Sequence, residues 1–381
     1  MVSHETGTLG PHGHPGSIPG VGAYIHKMEK TAEELREFGI ITRIISQFCE
    51  SAKLGNFQDS IKFSTENSKD MLINIDSFAG FLPRENLSED KFITYGHICA
   101  TSTISDIVVS GGKPLYFGTG IIIPKDMKEP ELANFFKGVK RVLDEYNMQN
   151  IGGDTNISDV KRLDGITIAL GKLEEGSTKI NRNTAKPGEI IFLTARSGVG
   201  WSNLVMLKKV KKNIQDPTYV EFWKKHKKEL ESVEIKPILP VKAFLECSKK
   251  RLLTSATDIT DGIGEIFAND YQPNNIGMQL NFKKEFLANC AQEIIEKESV
   301  HPINAFVNHG MDMPVQALIT CSREDKEEVI KIFQENNITL YEIGIVIDKP
   351  SFKCYYENNE LEIEKPILHE GGVVDPFWYS K

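Results

Sequence analysis

Between Met71 and Leu170 two kinds of apolar pattern alternate, and this alternation restricts the fold more than any other feature of the chain. Short continuous runs, MLINI (71–75), LYFGTGIII (115–123) and ITIAL (166–170), read as buried strands. Between them, at about 94–110 and about 129–147, apolar residues recur every three or four positions. In the second stretch Leu132, Phe135, Phe136, Val139, Val142, Leu143 and Tyr146 share one helical face. Strands interleaved with amphipathic helices bury their apolar surface by packing helices on a sheet, so a mixed α/β layer is expected over about 30–180. An earlier stretch, Thr31–Ser51, has helical spacing through Leu35, Phe38, Ile41, Ile44, Ile45 and Phe48.

A second unit opens at AKPGEIIFLT (185–194), a turn followed by a strand. The glycine turn ARSGVGWSN then leads into a helix over Leu204–Val210. Helices near 283–297 and 324–336 and strands near 315–320 and 340–347 make this unit α+β. The expected division is a disordered Gly/His/Pro-rich leader at 1–28, a first domain at 29–184 and a second at 185–381. The leader carries His4, His12, His14 and His26 among small residues that cannot bury a core. The charged run Tyr219–Glu231, with KKHKK at its centre, reads as a solvated surface helix, with a grip on phosphate as the sharper alternative.

Composition narrows the function classes. A chain of 381 residues that is 40% hydrophobic and 26% charged can fill two cores. It has no apolar run of membrane-spanning length and no secretory leader pattern, so no membrane partner and a cytoplasmic location are expected. The net charge of −8 argues against a nucleic-acid partner, which calls for an excess of Lys and Arg. The six cysteines are scattered without metal-ligand spacing and read as buried thiols.

Acidic residues interrupt or follow the apolar runs: Asp59 in GNFQDS, Asp76 in NIDSF, Asp106 in STISDIVVSGG, Asp154 in NIGGDTN, and Asp258 with Asp261 in TDITDG. A carboxylate at the end of a buried element is poorly solvated and tends to pair with a cation, and Mg²⁺ takes carboxylate, phosphate and water oxygens. Asp106 or Asp154 taken singly is as readily a helix cap or a turn residue. Gly152-Gly153 and Ser197-Gly198-Val199-Gly200 leave room for a ligand close to the backbone, yet neither matches a Walker loop or a GxGxxG fingerprint.

The blocks GHICATSTISDIVVSGGKPLYFGTGIIIP, NIGGDT, NTAKPGEIIFLTARSGVGWSN, TSATDITDGIGEIF, VNHGMDMPVQALI and YEIGIVID, in that order over about 50–350, resemble one superfamily. Its members include aminoimidazole ribonucleotide synthetase, thiamine-monophosphate kinase, selenophosphate synthetase and a hydrogenase-maturation dehydratase. The resemblance implies a two-domain PurM-like fold of the α/β (α+β) class, whose N-terminal domains join into a sheet barrel in a homodimer. It implies ATP and Mg²⁺ as cofactors, a small-molecule substrate, and metal ligands Asp59, Asp76, Asp106, Asp154, Asp258 and Asp261. Asp59, Asp154 and Asp258 are the implied catalytic residues; Ser105, Asp106, Gly152, Gly153, Thr155 and Asn156 are the implied nucleotide contacts. Arg196 and Trp201 flank the glycine turn as candidate acceptor contacts, and His309 is a candidate acid/base or cap. The GGDT and DITDG blocks resemble the kinase, which implies phosphoryl transfer. SGVGWSN and NHGMDM resemble the synthetase, which implies ATP-dependent amide activation as the alternative. The chain departs from the kinase pattern at Gln58, where an acidic ligand is expected, and this leaves a non-catalytic nucleotide-binding protein as a further reading.

Overall fold

The computed structural model describes residues 58–66, 68–78, 90–211, 213–234, 236–259, 262–307, 316–361 and 363. The leader, the Thr31–Ser51 helix, Asp261 and the NHGMDM block with His309 lie outside the described residues.

The first layer is built from β1 (Ile61–Thr65), β2 (Ser68–Ser77), α1 (Lys91–Val109), β3 (Lys113–Pro124), α2 (Glu129–Glu145), β4 (Gln149–Ser158) and β5 (Asp164–Lys172). Its strands lie in the order β1-β2-β5-β3-β4. All neighbours are antiparallel except β3 and β4. That parallel pair needs a crossover, and the amphipathic α2 supplies it. Asp90 caps α1 by accepting the Phe92 N–H at 2.9 Å. The helix is buried nearly all round, so it lies inside the molecule and not on its surface. The two helices cross closely because each presents a glycine: a Cβ on Gly96 would stand 1.9 Å from the Phe135 carbonyl oxygen, and one on Gly138 would stand 2.0 Å from that of Ile93.

NIGGDT, which reads as a turn ahead of a strand, is itself strand. Its Gly, Asp and Asn residues disfavour β structure, but pairing with β3 from Tyr116 to Pro124 overrides that preference.

The second sheet contains β6 (Ile190–Leu193), β7 (Leu253–Asp258), β8 (Gly277–Phe282), β9 (Ala317–Cys321), β10 (Tyr341–Ile347), β11 (Phe352–Tyr356) and β12 (Asn359–Leu361), in the order β12-β11-β8-β10-β6-β9-β7. Its helices are α3 (Val199–Lys209), α4 (Pro217–Lys225), α5 (Lys227–Glu234), α6 (Val241–Lys250), α7 (Asn289–Glu298) and α8 (Lys326–Glu335). Residues along β6 and β9 alternate between two cores. Ile191, Leu193 and Leu318 pack with Val205, Ala291 and Ile294 of α3 and α7. Ile190, Phe192 and Ile319 pack with Phe244 of α6, Phe333 of α8 and Ile104 of α1, so the first layer and the second sheet share one core.

The charged run at 219–231 is not simply solvated. It breaks at His226 into α4 and α5, and Tyr219, Phe222, Trp223 and Leu230 are buried in the second unit's core. His226 Nε2 and Lys225 Nζ both lie 2.6 Å from Glu293 of α7. Glu229 accepts the first backbone N–H groups of α7, from Asn289 and Cys290, at 2.9 Å each. These contacts give the segment a docking role on α7.

Candidate active site

Three carboxylates converge where the first layer meets the second sheet. Asp59 precedes β1, Asp106 lies within α1 and Asp258 ends β7, and one oxygen of each lies within 4.8 Å of the other two. Asp106 is therefore neither a cap nor a turn residue. Asn74 of β2 donates Nδ2–H to its Oδ2. Ser105 Oγ–H donates to Asp258 Oδ2 at 2.5 Å, and Thr257 Oγ–H to Asp59 Oδ1 at 3.0 Å.

Burial raises the affinity of all three for protons. Asp258 is pushed up to about 7 by burial and by repulsion from Asp59, against the Ser105 hydrogen bond and Arg182. Asp106 is raised well above the usual carboxylate range by burial, then by Asp258, Asp59 and Asp76. Burial also raises Asp59, against the opposing pull of Arg182 and Thr257. With Asp59 and Asp258 buried and Asp106 half-buried, carboxylates crowded together in this way are poorly stable as anions without a cation, and their hard oxygen donors suit Mg²⁺.

Two cations border the group. Arg182 Nη1–H donates to Asp59 Oδ1 at 2.9 Å, while its Nε–H contacts both oxygens of Asp270 at 3.0 Å. Burial works against the guanidinium charge, but Asp270 and Asp59 more than offset it and raise its proton affinity. Lys179, half-buried, donates to Gln58 Oε1 at 3.0 Å and to Asn181 Oδ1 at 2.7 Å. Burial lowers its pKa to about 8, against the attraction of Asp59. Gln58 Nε2–H in turn donates to Asn183 Oδ1 at 2.7 Å. At Gln58, where the kinase pattern carries an acid, this chain has an amide accepting a hydrogen bond from an ammonium.

Residues 58–173 match the N-terminal domain of AIR synthase related proteins, and residues 186–357 match the C-terminal domain of the same proteins. The chain belongs to the AIR synthase-related, PurM-like superfamily. Among the relatives of this superfamily member is the thiamine-monophosphate kinase of Pyrococcus horikoshii, 25% identical over 342 residues, covering 88% of this chain and 95% of the relative. The Pyrococcus abyssi thiamine-monophosphate kinase is 24% identical over 299 residues, covering 77% and 85%. Among solved structures, AaThiL complexed with AMPPCP and TMP superposes with a TM-score of 0.68 at 20% identity, over 90% of this chain and 99% of that one. That likeness extends the superfamily's two-domain fold to this chain.

The sequence-predicted residues fall into two sets. Asp59, Asp106, Asp258 and Ser105 come together. Asp76, half-buried on β2, stands near enough for its charge to raise Asp106 and Asp258, outside the convergent trio. Gly152, Gly153, Asp154, Thr155 and Asn156 lie exposed along the edge strand β4, and Asp154 is not among the converging carboxylates. Gly153 is explained by packing: a Cβ there would stand 1.6 Å from the Thr119 carbonyl oxygen on β3, so the missing side chain makes room for a neighbouring strand. Trp201, a candidate acceptor contact, is instead a buried core residue of α3, whereas Arg196 is exposed.

Sequence reading missed Arg182, Lys179 and Asp270. A signal for Asp270 existed: Ile263, Ile266, Phe267 and Asp270 share helical spacing, which puts an acid where a core residue belongs.

Proposed function

We propose that this chain is an ATP- and Mg²⁺-dependent phosphotransferase acting on a small phosphorylated acceptor of the thiamine-monophosphate kind. The observation that carries the reading is the convergence of Asp59, Asp106 and Asp258 from both parts of the chain, bordered by Arg182 and Lys179. Phosphoryl transfer requires charge neutralisation and in-line positioning more than covalent help, and such a site is suited to both. The three carboxylates would hold Mg²⁺, which supplies charge neutralisation to the triphosphate. Arg182 and Lys179 present N–H groups beside the same carboxylates, where anionic phosphoryl oxygens would meet them. An acceptor oxygen attacks the γ-phosphorus, the bond to the bridging oxygen breaks, and ADP departs with the electron pair. Ser105 and Thr257 hold Asp258 and Asp59 by hydrogen bonds and keep their oxygens directed at one another.

The reading includes a homodimer. Ile61, Ile75, Ile122, Ile151, Ile157 and Ile166 of the first sheet are 37–65% exposed, and among the described residues β4 ends that sheet with an unpaired edge. Apolar surface of this kind on a sheet is suited to a second copy of the same sheet. In such a pair Asp154 and its neighbours on β4 would lie at the junction, which supports a nucleotide-contacting role for them that the single chain lacks.

The test is acceptor-dependent ADP formation with ATP, Mg²⁺ and thiamine monophosphate. Transfer to that acceptor, lost in Asp258→Asn by a factor of roughly a thousand or more, is the expected result for a group that positions the metal. ATP binding without transfer to this acceptor would remove the thiamine-phosphate reading.

A further inference from the structure

Asp270 serves no part of the phosphoryl-transfer reading, yet both of its oxygens accept hydrogen bonds from a cation of the site. It lies in a π-helical turn, Phe267–Tyr271, and is fully buried. Such turns are rare and recur at functional positions. Its two oxygens take Arg182 Nε–H at 3.0 Å each, and Nη2 stands 3.0 Å from Oδ2. This fork leaves Nη1 for Asp59, at 2.9 Å from Oδ1, the same oxygen that Thr257 contacts. The Arg182 backbone is fixed as well, because its carbonyl accepts Ser255 Oγ–H at 2.7 Å.

An arginine beside a carboxylate prefers a two-pronged contact. Here Asp270 takes that contact. Without it the guanidinium would turn its fork onto Asp59 and compete with any cation that Asp59 shares with Asp106 and Asp258. We propose that Asp270 is a positioning residue: by holding the Arg182 fork it limits Arg182 to a single contact with Asp59 and keeps that carboxylate available to a divalent cation. This rests on the metal-binding reading of the three carboxylates. The arrangement makes opposite demands on the two partners, since loss of Asp270 frees a competitor and loss of Arg182 removes it.

The experiment is titration of the full chain with Mn²⁺, following free Mn²⁺ by electron paramagnetic resonance, with circular dichroism to establish folding. Asp270→Asn is expected to weaken Mn²⁺ binding by roughly tenfold or more, the range seen for groups that orient metal ligands. Arg182→Gln is expected to tighten it, and the double variant Arg182→Gln/Asp270→Asn to return close to the unaltered chain. Simple structural damage moves both single variants in the same direction. A folded Asp270→Asn with unchanged affinity, or a weakened Arg182→Gln, overturns the inference while leaving metal binding by the unaltered chain in place. If Asp270→Asn does not fold, the Arg182→Gln arm decides. Absence of Mn²⁺ binding by the unaltered chain overturns the metal reading and this inference together.

Discussion

The two sheets of this chain bury their residues in opposite ways. In the second sheet every residue of β6 and β9 is buried, because helices cover both faces and the shared core reaches it from the first layer. In the first sheet α1 and α2 cover one face, while six isoleucines on the strands stay exposed and β4 is exposed along nearly its whole length. The second sheet is thus satisfied within the chain, whereas the first presents half of a packing layer. The convergent carboxylates sit where these two regimes meet, with Asp59 and Asp106 on the side of the first and Asp258 at the end of a strand in the second.

The largest effect should come from breaking the self-sufficient side. Phe282 is fully buried and stacks on Phe306 with ring centroids 4.3 Å apart. Phe282→Ala removes that contact and leaves a cavity, so denaturant unfolding should show a loss of about 3–5 kcal/mol. A loss below about 1 kcal/mol would mean that the second sheet collapses around the gap and is less tightly determined than its burial indicates.

A smaller effect on stability and a larger one on assembly is expected from the exposed side. Ile75 and Ile166 point away from α1, since their neighbours Asn74 and Thr167 contact Thr103 on that helix, and they are 59% and 45% exposed. Replacing both by Asp should change single-chain stability by less than about 0.5 kcal/mol each, as surface substitutions do. Light scattering should nevertheless give half the mass of the unaltered chain, and the concentration dependence of its melting temperature should disappear. An unaltered chain that is already monomeric at working concentration would end the dimer proposal and leave the isoleucine face without a role.

How much of this was legible in the sequence follows the same division. The strands at 71–75, 115–123 and 166–170 and the helices beginning near 94 and 129 could be read because their apolar periodicity is dictated by burial within the chain. Where local preference and tertiary pairing disagree the reading fails: β4 is spelled with Gly, Asp and Asn and becomes a strand through β3. The 219–231 run fails for a related reason. Its lysines dominate the composition, but Tyr219, Phe222 and Trp223 recur at helical spacing and decide how it packs. At the site, acids breaking apolar runs pointed to Asp59, Asp106 and Asp258. Arg182 and Lys179 were silent, because a lone cation between two units carries no periodic signal. Their proximity to Asp59 is created by a fold that joins residues more than a hundred positions apart.

The smallest effect, and the one that most sharpens the contrast between the site and its surroundings, is a pH dependence. Burial and repulsion from Asp59 hold Asp258 at about 7 and Asp106 well above the usual range. An unfolded aspartate titrates near 4, so between about pH 4 and 7 the folded chain binds more protons than the unfolded one. The sign follows: these groups favour the fold when protonated, and the cation-free protein should lose stability as pH rises through that window. A divalent cation binds the ionised carboxylates and displaces their protons, so its stabilising effect should grow in the same direction. Thermal melts at about pH 6 and about pH 8, with and without Mg²⁺, should therefore show a larger Mg²⁺-induced rise at the higher pH, and Asp258→Asn should flatten the difference. Phe282→Ala should lower both melts while leaving the difference intact, since it removes apolar packing and no titrating group. If Mg²⁺ raised the melting temperature equally at both pH values, the cation would be binding somewhere other than the converging trio. The junction between the sheets would then be an acidic core held by Arg182 and not a metal site.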